Sequence, residues 1–99
     1  STAVDQSSRA FVVDEDNCVL FANFELNLRH AGEKKHLLDI IDSQQQDVLR
    51  ILGMAMDNPR QTVEGDVQLK GVPCHVRAMQ VQTAGTIRRT LVVFKPQGK

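Results

Sequence analysis

Aromatic residues are scarce in this sequence of 99 residues, which has neither tryptophan nor tyrosine and only four phenylalanines. Stacking on a flat cofactor would fall to these phenylalanines, whose ordinary role is packing in a core. Neither sign of charge is in excess, because 12 Lys and Arg residues balance 12 Asp and Glu residues. This balance argues against a nucleic-acid surface driven by net charge, so we expect no direct nucleic-acid partner.

Long apolar runs are also absent, and cysteines are few. No run reaches the length that crosses a bilayer, and no signal peptide is recognisable, so we expect no membrane partner. The two cysteines, Cys18 and Cys74, cannot form a disulfide framework. We interpret them as buried, reduced thiols of a cytoplasmic protein. The alternative is a redox-responsive thiol module using Cys18 or Cys74, which needs an exposed thiol of low pKa.

The first feature that is present is a hairpin pattern near the start of the chain. Residues 10–13 and 18–22 are apolar, and the polar residues 14–17 between them predict a tight reversal. Asn17 tolerates the left-handed conformation that such turns need. Asn23 follows the second run and is predicted to be the N-cap of a short helix that ends near Gly32.

Two further helices are predicted in the middle of the chain. Residues 36–41 form a short apolar turn of helix, and residues 43–56 carry apolar side chains at helical spacing. Ser43 and Gln46 form a capping box at the start of the longer helix. Pro59 follows its end, because proline disfavours helix in the residue before it.

Strands are predicted over the rest of the chain. Residues 61–70 alternate apolar and polar side chains, as a half-buried antiparallel strand does. Gly71 marks a reversal into a strand that begins near Pro73. Residues 83–86 predict another turn, and residues 87–94 form the last strand. The tail follows.

The hairpin and the Asn that follows it resemble the opening of a PAS domain. That family often has an apolar strand, D-x-x-G, a second apolar strand and then Asn. This chain has Asp14-Glu15-Asp16-Asn17, with Asn17 in place of Gly, and then Asn23. The resemblance implies an α+β fold with a five-stranded antiparallel sheet in the order 2-1-5-4-3 and short helices on one face. It places the domain at residues 9–95, between a truncated N-terminal segment (1–8) and a tail (96–99). Another α+β fold, profilin-like or roadblock-like, is the rival.

The resemblance also implies a role. PAS domains sense signals or mediate interactions in intracellular signalling proteins, such as histidine kinases and transcription regulators. We therefore expect a homodimer through the sheet face and the N-terminal segment, signal relay, and contact with other domains of the same regulator. The outer-face interface residues expected from this are Met79, Val81, Arg88, Val92 and Phe94. Many such domains end with a D-x-T motif, whereas this chain has Lys95-Pro96-Gln97, so coupling through that motif is not expected.

A ligand pocket between sheet and helices is a further implication of the resemblance. Its expected lining residues are Leu38, Ile41, Leu52, Met56 and Val76. The cofactor is unknown. A flavin of the LOV type is not supported, since the N-C pair at Asn17-Cys18 lies in a turn and not on a helix. Haem is not supported either, because the long helix predicted at residues 43–56 contains no histidine that could bind it. His36 lies before that helix.

Catalysis is not expected from the distribution of reactive side chains. His30, His36 and His75 are scattered, and no H-x-x-x-H or C-x-x-C spacing supports a metal site. Cys74 and His75 are neighbours in a predicted strand, so their side chains point to opposite faces and a Cys–His dyad is disfavoured. We predict that the chain is not an enzyme.

Overall fold

The computed structural model describes residues 8–24, 26, 32–41, 46–81, 85 and 87–97. Its elements in these residues are β1 (Arg9–Val13), β2 (Val19–Ala22), α1 (Leu37–Ile40), α2 (Gln46–Asp57), β3 (Val63–Leu69), β4 (Val72–Val81) and β5 (Arg89–Pro96). The strands form one antiparallel sheet in the order β2-β1-β5-β4-β3. The predicted α+β fold and strand order are confirmed. The helix predicted after Asn23, the Ser43 cap and most of the turn at 83–86 lie outside the described residues.

The turn between β1 and β2 forms around the side chain of Asp14, as the polar cluster predicts. Its Oδ1 accepts hydrogen bonds from the amides of Asp16 at 2.8 Å and Cys18 at 2.9 Å. Asn17 takes a φ of 64°, in the left-handed region that asparagine tolerates. The backbone of Asn17 donates to the Asp14 carbonyl at 3.0 Å and closes the reversal.

The side chain of Asn23 is hydrogen-bonded to the start of β1. Its side-chain Oδ1 accepts from the amide of Ala10 at 3.0 Å, and its Nδ2 donates to the Ser8 carbonyl at 3.2 Å. The N-cap predicted at Asn23 belongs to a helix that lies outside the described residues, so it stays a prediction. The side chain extends the β1–β2 pairing beyond the last paired residues.

The outer edge of β2 is covered by the segment that leads into α1. The amide of Val19 donates to the Lys35 carbonyl at 2.8 Å, and the amide of Leu37 donates to the Asn17 carbonyl at 2.9 Å. His36 is the N-cap of α1, because its Nδ1 accepts from the amide of Leu38 at 3.1 Å. These contacts protect one edge of the sheet from further pairing.

The hairpin between β3 and β4 has a two-residue turn. Lys70 and Gly71 have φ angles of 53° and 80°, and Leu69 pairs with Val72. Positive φ at both turn residues suits the right-handed twist of the two strands, and glycine adopts it without steric cost. The predicted reversal at Gly71 is confirmed, and its length determines which residues face each other across β3 and β4.

The core lies between α2 and one face of the sheet. Helix α2 contributes Val48, Ile51, Leu52 and Ala55. Phe11 in β1 packs its ring edge-on against Phe24 and Phe94, with centroids 5.4 Å and 5.9 Å apart. Gln80 in β4 joins this side, since its Nε2 donates to the carbonyls of Ala55 at 3.3 Å and Met56 at 2.7 Å. We call this face of the sheet the helix side and the opposite one the outer face.

The side-chain directions of β5 contradict the predicted interface at two of its residues. Val92 and Phe94 are 0% and 2% exposed and lie in the core. The reason is register, because Val92 pairs with the core residue Phe11 of β1. Their neighbours Leu91 and Val93 point to the outer face and are half-buried. Val92 and Phe94 are therefore unavailable to a partner at that face.

Candidate functional site

A row of apolar side chains crosses the outer face from one edge towards the other. Phe21 of β2 pairs with Val12 of β1, Val12 pairs with Leu91 of β5, and Leu91 pairs with Met79 of β4. Paired residues of antiparallel strands point to the same face, so the four side chains are neighbours. With strands about 4.8 Å apart, this apolar row is roughly 15 Å long.

The apolar row is open to solvent on the described part of the protein. Phe21 is 63% exposed, and Val12, Leu91 and Met79 are intermediate in burial. Ala10 and Val93, which pair with each other, lie one pleat further along the same face. Large apolar groups that remain in contact with water on one continuous face are typical of an interaction surface.

The end of the outer face beside β3 carries charged groups instead. His75 of β4 lies between two carboxylates of β3, with Nδ1 3.1 Å from Asp66 Oδ1 and Nε2 2.7 Å from Glu64 Oε1. Gln97, just after β5, donates from its Nε2 to the same Oδ1 of Asp66 at 2.7 Å. We call Glu64, Asp66, His75 and Gln97 the charged cluster.

Protonation in the charged cluster is coupled. The hydrogen bonds to Asp66 and then to Glu64 raise the pKa of His75 above 6.5, because both carboxylates favour the cation. The hydrogen bonds from His75 and then from Gln97 lower the pKa of Asp66 below 3.8. The charged forms of His75 and Asp66 therefore stabilise each other.

Sequence reasoning did not identify the charged cluster, although a signal for it exists. A two-residue turn at Lys70-Gly71 makes Leu69 and Val72 partners, and counting back three pairs places Asp66 opposite His75. Glu64 then lies diagonally across on the same face, within reach of a long side chain. Recognising the turn length, and not only the reversal, was the missing step.

The predicted interface and pocket residues divide between the two sides of the sheet. Met79 and Val81 lie on the outer face, and Arg88 is exposed. The residues predicted to line a pocket lie in or beside the core: Ile41, Leu52 and Val76 are buried, Leu38 packs against them, and Met56 is intermediate.

A groove of about 380 Å³ opens near the start of α2 and none of the predicted pocket residues lines it. Its lining residues are Asp47, Asp66, Val67, Gln68 and Pro73. A ligand among the predicted pocket residues would have to displace core side chains. The ligand pocket between sheet and helices therefore stays a prediction.

Neither cysteine has the properties of a reactive thiol. Burial raises the pKa of Cys74, which is buried in the sheet. The pKa of Cys18 is raised by desolvation and then by Asp14 and Asp16, against a smaller lowering by Lys34. A raised pKa disfavours the thiolate that a redox switch needs. The thiol alternative is therefore unsupported.

Comparison with known proteins identifies the fold. No protein-family model matches the chain, and no curated protein matches it. A domain of an HTR-like protein from Haloarcula marismortui ATCC 43049 has a TM-score of 0.72 at 13% identity, over 92% of this chain and 98% of that one. A sensory box sensor histidine kinase from Vibrio cholerae has a TM-score of 0.69 at 14% identity, over 93% of this chain and 80% of that one. At these identities the likeness establishes the PAS-like sensory box fold. Within the described residues, no helix has the length and apolarity to cross a membrane.

Proposed function

We propose that this chain is a non-catalytic sensory or interaction domain of an intracellular signalling protein, such as a histidine kinase or a transcription regulator. In this role it associates with a second copy through the outer face of its sheet and relays a conformational signal to other domains. The structural neighbours support the signalling role, since one is a sensory box histidine kinase. The apolar row is the observation that carries the proposed association.

The apolar row suits a self-complementary contact. In a two-fold dimer the same surface meets itself, so an uncharged row can pack on its copy without bringing like charges together. Phe21 is the most exposed member at 63%, and phenylalanine is among the residue types enriched in protein–protein interfaces. The charged cluster would then lie towards the rim, where ions keep their water.

The test compares two exposed apolar residues on opposite sides of the protein. Phe21→Asp introduces a charge into the apolar row, whereas Met54→Asp introduces one on α2, where Met54 is 44% exposed. Neither side chain is in the core, so both variants should fold, and circular dichroism checks this. Light scattering after size-exclusion chromatography over a concentration series measures the dimer fraction.

We expect the wild type and Met54→Asp to dimerise alike and Phe21→Asp to weaken dimerisation at least tenfold. A folded Phe21→Asp variant with the dimer fraction of the wild type would refute the outer-face interface. A wild-type chain that stays monomeric at millimolar concentration would refute self-association by this chain alone.

A further inference from the structure

The geometry around His75 requires a particular protonation state. Both ring nitrogens lie within hydrogen-bond distance of carboxylate oxygens, at 3.1 Å and 2.7 Å. An ionised carboxylate can only accept, and a neutral imidazole has only one N–H. Both contacts are satisfied together only when His75 is the doubly protonated cation. Because the carboxylates contact opposite nitrogens, these three side chains do not converge on one point, as the ligands of a metal would.

Asp66 also connects this cation to the chain that follows the last strand. The Oδ1 that faces His75 accepts the hydrogen bond from Gln97 Nε2 at 2.7 Å. The backbone amide of Gln97 donates to the Pro73 carbonyl of β4 at 2.9 Å. Gln97 is thus tied to β4 by its backbone and to β3 by its side chain, directly after β5 ends at Pro96.

We propose that His75, Asp66 and Gln97 form a proton-responsive clasp, which fastens the chain after β5 to the sheet when His75 is protonated and loosens it when His75 is neutral. This inference concerns the sheet itself, goes beyond the proposed association and does not depend on it. It gives the domain a response to pH in the range where histidine titrates.

The loss of one proton from His75 acts on one contact more than on the other. A neutral ring that keeps its shorter contact, at 2.7 Å to Glu64, retains its proton on Nε2. The lone pair of Nδ1 then faces the lone pairs of Asp66 Oδ1, and this contact becomes repulsive. Asp66 then turns away from β4, and the Gln97 side chain loses its hydrogen-bond acceptor.

The charged groups around His75 come from every neighbouring element. Glu64 and Asp66 of β3 contact the ring and favour the cation. Lys95 of β5, which pairs with His75, and Arg77 of β4 bring positive charge to the same face. Desolvation of the ring opposes the cation and lowers its pKa. Asp47 of α2 lines the groove with Asp66, and its carboxylate is paired with Arg50 at 3.2 Å. The contacting carboxylates prevail, since the pKa of His75 is raised.

The experiment is an NMR titration of the chain from pH 5 to 9. The His75 ring signal is assigned by its absence from His75→Gln, and the Gln97 side-chain amide is followed in the same spectra. We expect both signals to change with one shared midpoint, above 6.5. A Gln97 signal that does not follow His75, or a His75 midpoint at or below 6.5, would overturn the clasp.

Two matched variants separate the clasp from a general electrostatic effect. Asp66→Ala and Asp47→Ala each remove one carboxylate from an exposed side chain beside the groove, and of the two only Asp66 contacts the His75 ring. Only Asp66→Ala removes the acceptor of the Gln97 side chain, so Gln97 should stop following His75 in that variant and continue to follow it in Asp47→Ala. Equal behaviour of Gln97 in both variants would contradict the proposal.

Discussion

The helix side and the outer face of the sheet are built from alternate residues of the same strands, yet they meet different environments. On the helix side, Val76, Val92 and Phe94 are at most 2% exposed. The outer face changes along its width from the apolar row to the charged cluster. The difference indicates that packing determines the helix side, whereas solvent and potential partners determine what the outer face can carry. Function is therefore better sought on the outer face.

The sharpest way to test this comparison uses two apolar positions of β5 that face opposite sides of the sheet. Phe94→Ala should lower the free energy of unfolding by about 3–5 kcal/mol, because it leaves a cavity beside Phe11. Leu91→Ala removes a half-buried side chain from the outer face and should cost about 1 kcal/mol or less. Urea denaturation measures both. Equal costs would mean that the two faces are assigned wrongly.

A smaller difference in stability is expected between alanine substitutions at two glycines. A Cβ at Gly65 in β3 would lie 2.8 Å from Ile51 Cδ1, so Gly65→Ala should cost about 1–3 kcal/mol by overpacking. Gly53 in α2 faces open space, and Gly53→Ala should stabilise the protein by about 0.5–1 kcal/mol through helix propensity. The control is Gly65→Ala combined with Ile51→Val, which removes the obstructing methyl group. If that double variant is no better than the sum of its parts, close approach is not the cause.

The smallest effect concerns pH and the charged cluster. A histidine whose pKa is raised on folding stabilises the protein below 6.5, and this contribution is lost as pH rises through the folded pKa. Asp66, whose pKa is lowered, contributes above 3.8 and loses its contribution as pH falls through its folded pKa. The melting temperature of the wild type relative to His75→Gln should therefore fall as pH rises above 6.5 and through the raised pKa of His75. A difference that is constant over this range would show that His75 has an ordinary pKa.

The sequence predicted most of the described elements well, because alternation in residues 63–69 and the turn chemistry at Asp14 and Gly71 are local signals. The strand order came from the resemblance to PAS domains, since local signals do not determine which strands pair. The orientation of β5 could not be predicted in the same way. Residues 91–94 are all apolar, so no alternation marks a face, and only pairing with β1 and β4 assigns one. The bonds of Asn23 to β1 could not be predicted either, since the same side-chain oxygen can cap a helix or bond a strand. The apolar row and the charged cluster both arise from register between strands.

Gln80 links the two sides of the domain mechanically. Its amide satisfies two carbonyls at the end of α2, groups that a helix leaves without internal partners. The strand that carries Gln80 also carries Met79 and His75, whose side chains point the other way. Helix α2 and β4 are thus joined by side-chain hydrogen bonds as well as by core packing. The strand that anchors the end of α2 is therefore the one that contributes both to the apolar row and to the charged cluster.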